Sequence, residues 1–215
     1  MSDARSAARR AAPATARAYE VRHVQLARAA LAAIAAVMIT FSPDHSASVG
    51  LAVFSGWAIA TALILLLGAW LAYPGARRGA PVLLGIVTAL AGMVSGFPGI
   101  RSTTLFFVLV IAWALVTGAG ELAWGIRDHR RGTPDARDGI LIGALTIVLA
   151  LGLLLVNPAY SLDYVIAEAN RSFTLTGITI GVGLFGGYVA VVAVFLGIAG
   201  LSPRRTDDRP AGEPA

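Results

Sequence analysis

The chain has no cysteine and no lysine, and only 13% of its 215 residues are charged. Without cysteine there can be no disulfide, thiolate metal site or cysteine nucleophile. The basic residues are therefore 17 arginines, which suggests a GC-rich bacterial genome. The three histidines are scattered, with no His-x-x-x-His or His/carboxylate cluster of the kind that holds a metal ion. Phosphate loop, nucleophile elbow, paired carboxylates and nucleotide fingerprint are all missing, so neither an enzyme nor a cofactor is expected.

What is abundant is apolar surface: 57% of the residues are hydrophobic and the mean hydropathy is +0.74. Six apolar stretches, each of about 18 to 27 residues, are long enough to cross a bilayer core of roughly 30 Å as helices. Continuous rather than alternating apolarity argues against strands. The reading is an all-α polytopic membrane protein with helices at about 24–41, 49–72, 80–97, 103–126, 139–156 and 174–200. The polar segments 1–21 and 202–215 are expected to be disordered tails. Ser46-Ala47-Ser48 offers a signal-cleavage site, but the preceding apolar run is too long and follows a long leader, so retention is expected.

The net charge of +5 would suggest nucleic acid in a soluble protein; here it reports orientation. Six arginines lie in the amino tail and the start of the first helix, two at 77–78, four at 127–138 and three in the carboxyl tail. That places fifteen on one side, against Arg101 and Arg171 on the other. Both termini are thus expected in the cytoplasm of a bacterial inner membrane. Trp70, Tyr73 and Trp124 fall at the inner boundary, Phe41, Phe97, Tyr160 and Phe173 at the outer one. Arg28 lies one turn inside the first helix, where it is expected to snorkel to the cytoplasmic face.

Pro43, Pro98 and Pro158 each follow an outward helix, at spacings of 55 and 60 residues. Ser55-Gly56-Trp57-Ala58 falls opposite Ile111-Ala112-Trp113-Ala114 at a spacing of 56, and Gly92 and Gly152 each precede their proline by six. The pattern predicts three parallel helical hairpins: outward helix, Pro turn, return helix.

The middle return helix, Ile111-Ala112-Trp113-Ala114-Leu115-Val116-Thr117-Gly118 with Glu121-Leu122 and Ile126-Arg127, resembles that of HdeD-like acid-resistance membrane proteins. Gly139-Ile140-Leu141-Ile142-Gly143 through Gly152 to Asn157-Pro158 is similar to the family's following helix. The resemblance implies a six-helix inner-membrane protein of acid stress, without catalytic residues. This chain departs from the pattern in having Leu65 where the second copy has Glu121, no Trp-Ala pair in the third copy, and a longer third outer segment.

Glu121 is the acidic side chain well inside a predicted span. It is either a proton acceptor or ion ligand, or an anchor paired with Arg127, Arg77 or Arg78. His45, beside Asp44 and on the same outer face as Asp163 and Glu168, is either a pH sensor or simply solvated. In the sixth helix, Gly177-x-x-x-Gly181 and Gly183-x-x-x-Gly187 mark a helix-packing interface, within the chain or in a homo-oligomer. Thr174, Thr176 and Thr179 at its outer end either line a polar path or bond back to their own helix. Residues 161–172 place Leu162, Val165, Ile166 and Ala169 at helical spacing, predicting a short amphipathic helix on the outer interface. Asn170-Arg171-Ser172 matches a glycosylation acceptor, without consequence in a bacterium. Three functions compete: an HdeD-like stress protein, a small channel or transporter using Glu121, and an interaction scaffold. Besides the lipid bilayer, no partner is identified, and nucleic acid is not expected.

Overall fold

The computed structural model describes residues 20–73, 75–133, 136–166 and 171–202. Most of both expected tails lies outside them. Among the described residues six helices are long and apolar enough to span a membrane: α1 (Val21–Thr40), α2 (Ala47–Leu71), α3 (Gly79–Gly96), α4 (Thr103–Arg130), α5 (Ala136–Leu155) and α6 (Gly177–Leu201). The all-α polytopic class is therefore as expected. Large apolar side chains point outward along the helices, including Leu67, Leu90, Val108, Val148 and Val194, all more than half exposed. Such a surface suits lipid rather than water.

The helix ends follow local chemistry. Ser46, Ser102 and Thr176 cap the three return helices α2, α4 and α6, each side chain accepting from the backbone N–H three residues on. Pro43 and Pro158 sit in the turns after α1 and α5, and Pro98 opens a 3-10 turn over Pro98–Ile100. Arg101 donates to the Ser95 and Gly96 carbonyls at 3.1 and 3.3 Å and so closes the end of α3. α4 runs four residues beyond its expected end and stops at Gly132, whose φ of 69° suits glycine. There the Gly132 and Thr133 amides bond the His129 and Asp128 carbonyls, a Schellman stop.

The expected amphipathic helix after Pro158 is a correction. Residues there form a β-hairpin, β1 (Ser161–Ile166) antiparallel to β2 (Arg171–Thr176). Tyr164-Val165-Ile166 and Phe173-Thr174 are β-branched or aromatic residues that favour strands, and each strand satisfies the other's backbone. Asp163 faces Thr174 across the ladder and accepts its hydroxyl at 2.6 Å. Thr174 consequently belongs to a strand, and α6 begins three residues later than expected. Glu168, Ala169 and Asn170 lie outside the described residues.

The most extensive helix contacts are α4 with α5, α2 with α3, and α1 with α6. Each joins the return helix of one hairpin to the outward helix of another, and α6 against α1 closes the ring. Glycine makes the closest of these contacts: a Cβ on Gly143 of α5 would lie 2.5 Å from the Leu122 amide nitrogen of α4. The glycines of α6 do not share one face. Gly177 and Gly181 are buried, Gly181 against Phe106 and Phe107, whereas Gly183 and Gly187 are exposed. At 100° per residue, Gly181 and Gly183 point to nearly opposite sides of the helix. Gly186 and Gly200, not singled out in the sequence, meet Ile39 and Leu26 of α1.

Gly143→Ala should lower the thermal stability of the purified protein by roughly 1–3 kcal/mol through backbone overlap. Gly187→Ala, where a Cβ meets nothing described within 4 Å, should stay within about 0.5 kcal/mol. Equal melting temperatures for the two variants would contradict this packing.

Candidate functional site

The inward face of α1 carries Gln25, Arg28, Ala32, Ala35 and Ile39 at helical spacing, and that of α4 carries Val110, Trp113, Thr117, Glu121 and Gly125. Where these faces meet, an Arg28 guanidinium nitrogen lies 3.0 Å from a Glu121 carboxylate oxygen, with side chains 17% and 11% exposed. This replaces the expected anchoring. Arg77 instead pairs with Asp128 at 3.0 Å, and Arg78 bonds the Tyr73 and Trp70 carbonyls while stacking over the Trp70 ring. Arg127 is exposed at the mouth of the bundle. Nor does Arg28 snorkel: it sits on the buried stripe, where small alanines leave room for it beside a carboxylate. Depth alone suggested snorkelling, whereas the stripe running from Gln25 through Ala32 was the signal that indicates the inward direction.

The pair stands at the bottom of a recess of about 110 Å³. Its walls are tied by two further polar contacts, Gln25 Nε2 to Asp138 Oδ2 at 2.6 Å and Arg77 to Asp128. Leu65 and Leu196 face the same recess, so α2, α4 and α6 contribute Leu, Glu and Leu at this depth.

Behind the pair lies a smaller cavity of about 20 Å³, walled by side chains of both Arg28 and Glu121 and by a belt of hydroxyls and indoles. Trp113 Nε1 donates to Thr88 Oγ1 at 3.2 Å. Thr146 donates to the Ile142 carbonyl at 2.7 Å, so the 2.9 Å contact with Tyr188 is the phenol donating to Thr146. Thr117 bonds back to the Trp113 carbonyl at 2.7 Å. Thr61 Oγ1 and Trp57 Nε1, both buried, have no hydrogen-bond partner among the described residues.

Further out the path closes. Trp57, Trp113 and Tyr188, one from each return helix, meet with ring centroids 5.3 to 6.3 Å apart. Phe54 packs edge-on against Trp113 and Phe185 edge-on against Trp57, and with Val110, Leu51, Phe106 and Val182 both are fully buried. The axis of the bundle is thus lined by polar side chains on the recess side and by apolar ones on the other, where the buried Ser55 and Ser95 hydroxyls bond α3 carbonyls.

The remaining expected site residues lie elsewhere. Asp44 accepts from the Ser46 amide and hydroxyl at 2.8 and 3.0 Å, bracing the start of α2. Asp163 accepts from the Thr174 hydroxyl at 2.6 Å, and Glu168 lies outside the described residues. Thr176 and Thr179 bond each other at 2.9 Å at the α6 cap. Gly183 and Gly187 floor an apolar groove of about 550 Å³ between α5 and α6. Among the described residues no cluster of three His, Asp or Glu side chains is placed to hold a metal.

Removing Glu121 strands the Arg28 charge, so Glu121→Ala should cost on the order of 3 kcal/mol in thermal unfolding. The double variant Arg28→Met with Glu121→Leu, which matches the leucines at the same depth, should return to within about 1 kcal/mol of the parent. An unaffected Glu121→Ala would contradict the pairing. No family model, curated protein or solved structure matches this chain, so its functional reading rests on the geometry of this recess.

Proposed function

We propose that the chain is a non-enzymatic protein of a bacterial inner membrane, both termini cytoplasmic, that acts in acid or envelope stress as its resemblance to HdeD-like proteins implies. The observation that carries this reading is the Arg28–Glu121 pair, which bridges α1 and α4 inside the bundle. Loss of either charge would leave the other without its partner in a site of low polarity, a change that biases α1 and α4 towards separation. The fifteen-to-two arginine distribution supports the orientation, with the recess on the arginine-rich side. Three parallel hairpin repeats are supported by the single layer in which Trp57, Trp113 and Tyr188 meet.

A transporter is favoured by one observation, the recess that reaches Glu121 from one side. It would require the Phe54–Phe185 layer to open. Proton flux in proteoliposomes, lost in Glu121→Gln, would support it over the first reading. For a scaffold or homo-oligomer, the available face of α6 is that of Gly183 and Gly187, since Gly181 is spent on α4. Gly187→Leu should then alter oligomer size in detergent.

A deletion strain should survive acid challenge less well than the parent, the intact gene should restore survival, and Glu121→Gln expressed at equal level should not. Equal survival of deletion and parent strains would remove the stress reading.

A further inference from the structure

The small cavity behind the ion pair is built for a ligand that the protein itself does not supply. Thr61 Oγ1 and Trp57 Nε1 are 4% and 7% exposed by residue, and both lie in its wall without a partner among the described residues. A buried hydroxyl or indole N–H left unpaired is costly, and native interiors satisfy such groups with protein or with ordered water. Thr61 also differs from its neighbours in the belt. Thr117 and Thr146 each donate to the carbonyl four residues earlier, whereas the Thr61 hydroxyl makes no such bond to the Trp57 carbonyl.

The chemistry of the wall selects the ligand. An indole N–H only donates, so it requires an acceptor and repels a cation. Arg28 and Glu121 already neutralise each other, so an anion would enter without a countercharge and beside a carboxylate. A neutral acceptor that also donates remains. The volume of about 20 Å³ accommodates one water molecule, which needs about 10–15 Å³ by this measure.

We propose that this cavity is a hydration site holding one water molecule that accepts from Trp57 Nε1 and bonds Thr61 Oγ1, on the inner side of the aromatic layer. The charged and titratable groups around it are Arg28 and Glu121 towards the recess and Tyr188 from α6. Tyr73, Arg77, Asp128 and Asp138 lie nearer the mouth. Because the recess shares Arg28, Glu121, Leu65 and Leu84 with the cavity, the site is supplied from the arginine-rich side. The fully buried Phe54, Phe185 and Val110 bar the other side. Hydration therefore ends in the middle of the bundle, and polar contact with Glu121 is one-sided. The inference rests on the cavity and holds whether or not the acid-stress reading does.

The test is nuclear magnetic resonance of the full chain in lipid nanodiscs with 15N-labelled tryptophan. The four indoles are assigned by single Trp→Phe variants. The Trp57 indole should resonate as a hydrogen-bonded N–H and give a cross-peak to water. Thr61→Val should abolish the cross-peak and move the resonance towards the unbonded range, with Trp113, held by Thr88, unshifted as a control for folding. Thr61→Ser should retain it. A Trp57 indole without a water cross-peak in the parent protein, or one unchanged by Thr61→Val, would overturn the proposal; the parent measurement decides even if the variant fails to fold.

Discussion

A charged pair inside an apolar bundle is the constraint on which the rest of this structure depends. Arg28 and Glu121 stand 93 positions apart in the chain, on helices of different hairpins, and meet at 3.0 Å. Neither charge can be left alone at that depth, so α1 and α4 must face each other across the bundle with a fixed rotation and height. Gln25 with Asp138 and Arg77 with Asp128 extend the same demand towards the mouth, tying α1 to α5 and the α2–α3 turn to α4. Polar groups thus draw together helices that the apolar effect, weak between helices in lipid, would not orient.

Shape supplies what charge does not. The ring closes because glycine lets α4 and α5 approach until backbones touch at Gly143, and lets α6 lie against Ile39 of α1 at Gly186. Inside the ring, the three return helices bring large aromatics to one level, where the edge-on rings of Trp57, Trp113 and Phe54 fill the axis. Hydroxyls of Thr88, Thr117 and Thr146 line the inner side of that level, and apolar side chains fill the outer side. The polarity gradient along the bundle is therefore a property of residue placement on α2 to α6 together, with Leu65, Glu121 and Leu196 all facing the recess.

Much of this was legible in the residues. Apolar run length and turn prolines located six helices to within a few positions, since a span needs a fixed number of apolar residues and proline cannot continue a helix. The spacing of 56 that aligned Trp57 with Trp113 also aligned two side chains that touch. Glu121 stood out because a carboxylate in a span is expensive. Its partner was missed because Arg28 was judged by depth, when the alanines at its helical spacing already placed it on the inward stripe. The hairpin at 161–176 was missed because Leu162, Val165 and Ile166 fit a helical period as well as a strand, and pairing with a second segment decided the matter. Tyr188 was not singled out, since no local motif marks a side chain whose role is to meet two tryptophans from other hairpins.

A bundle hydrated on one half and dry on the other accounts for the ion pair, the hydroxyl belt and the aromatic layer together. The absence of native cysteine makes that division directly measurable with single introduced cysteines and a small water-soluble thiol reagent in sealed vesicles of known orientation. The account predicts that Val21→Cys and Ala80→Cys, which line the recess, react from the arginine-rich side only. Val110→Cys and Ala114→Cys, fully buried in the outer half and at the aromatic layer, should react from neither side. Labelling of Val110→Cys from the opposite side would contradict the closed outer half and, with it, the one-sided site.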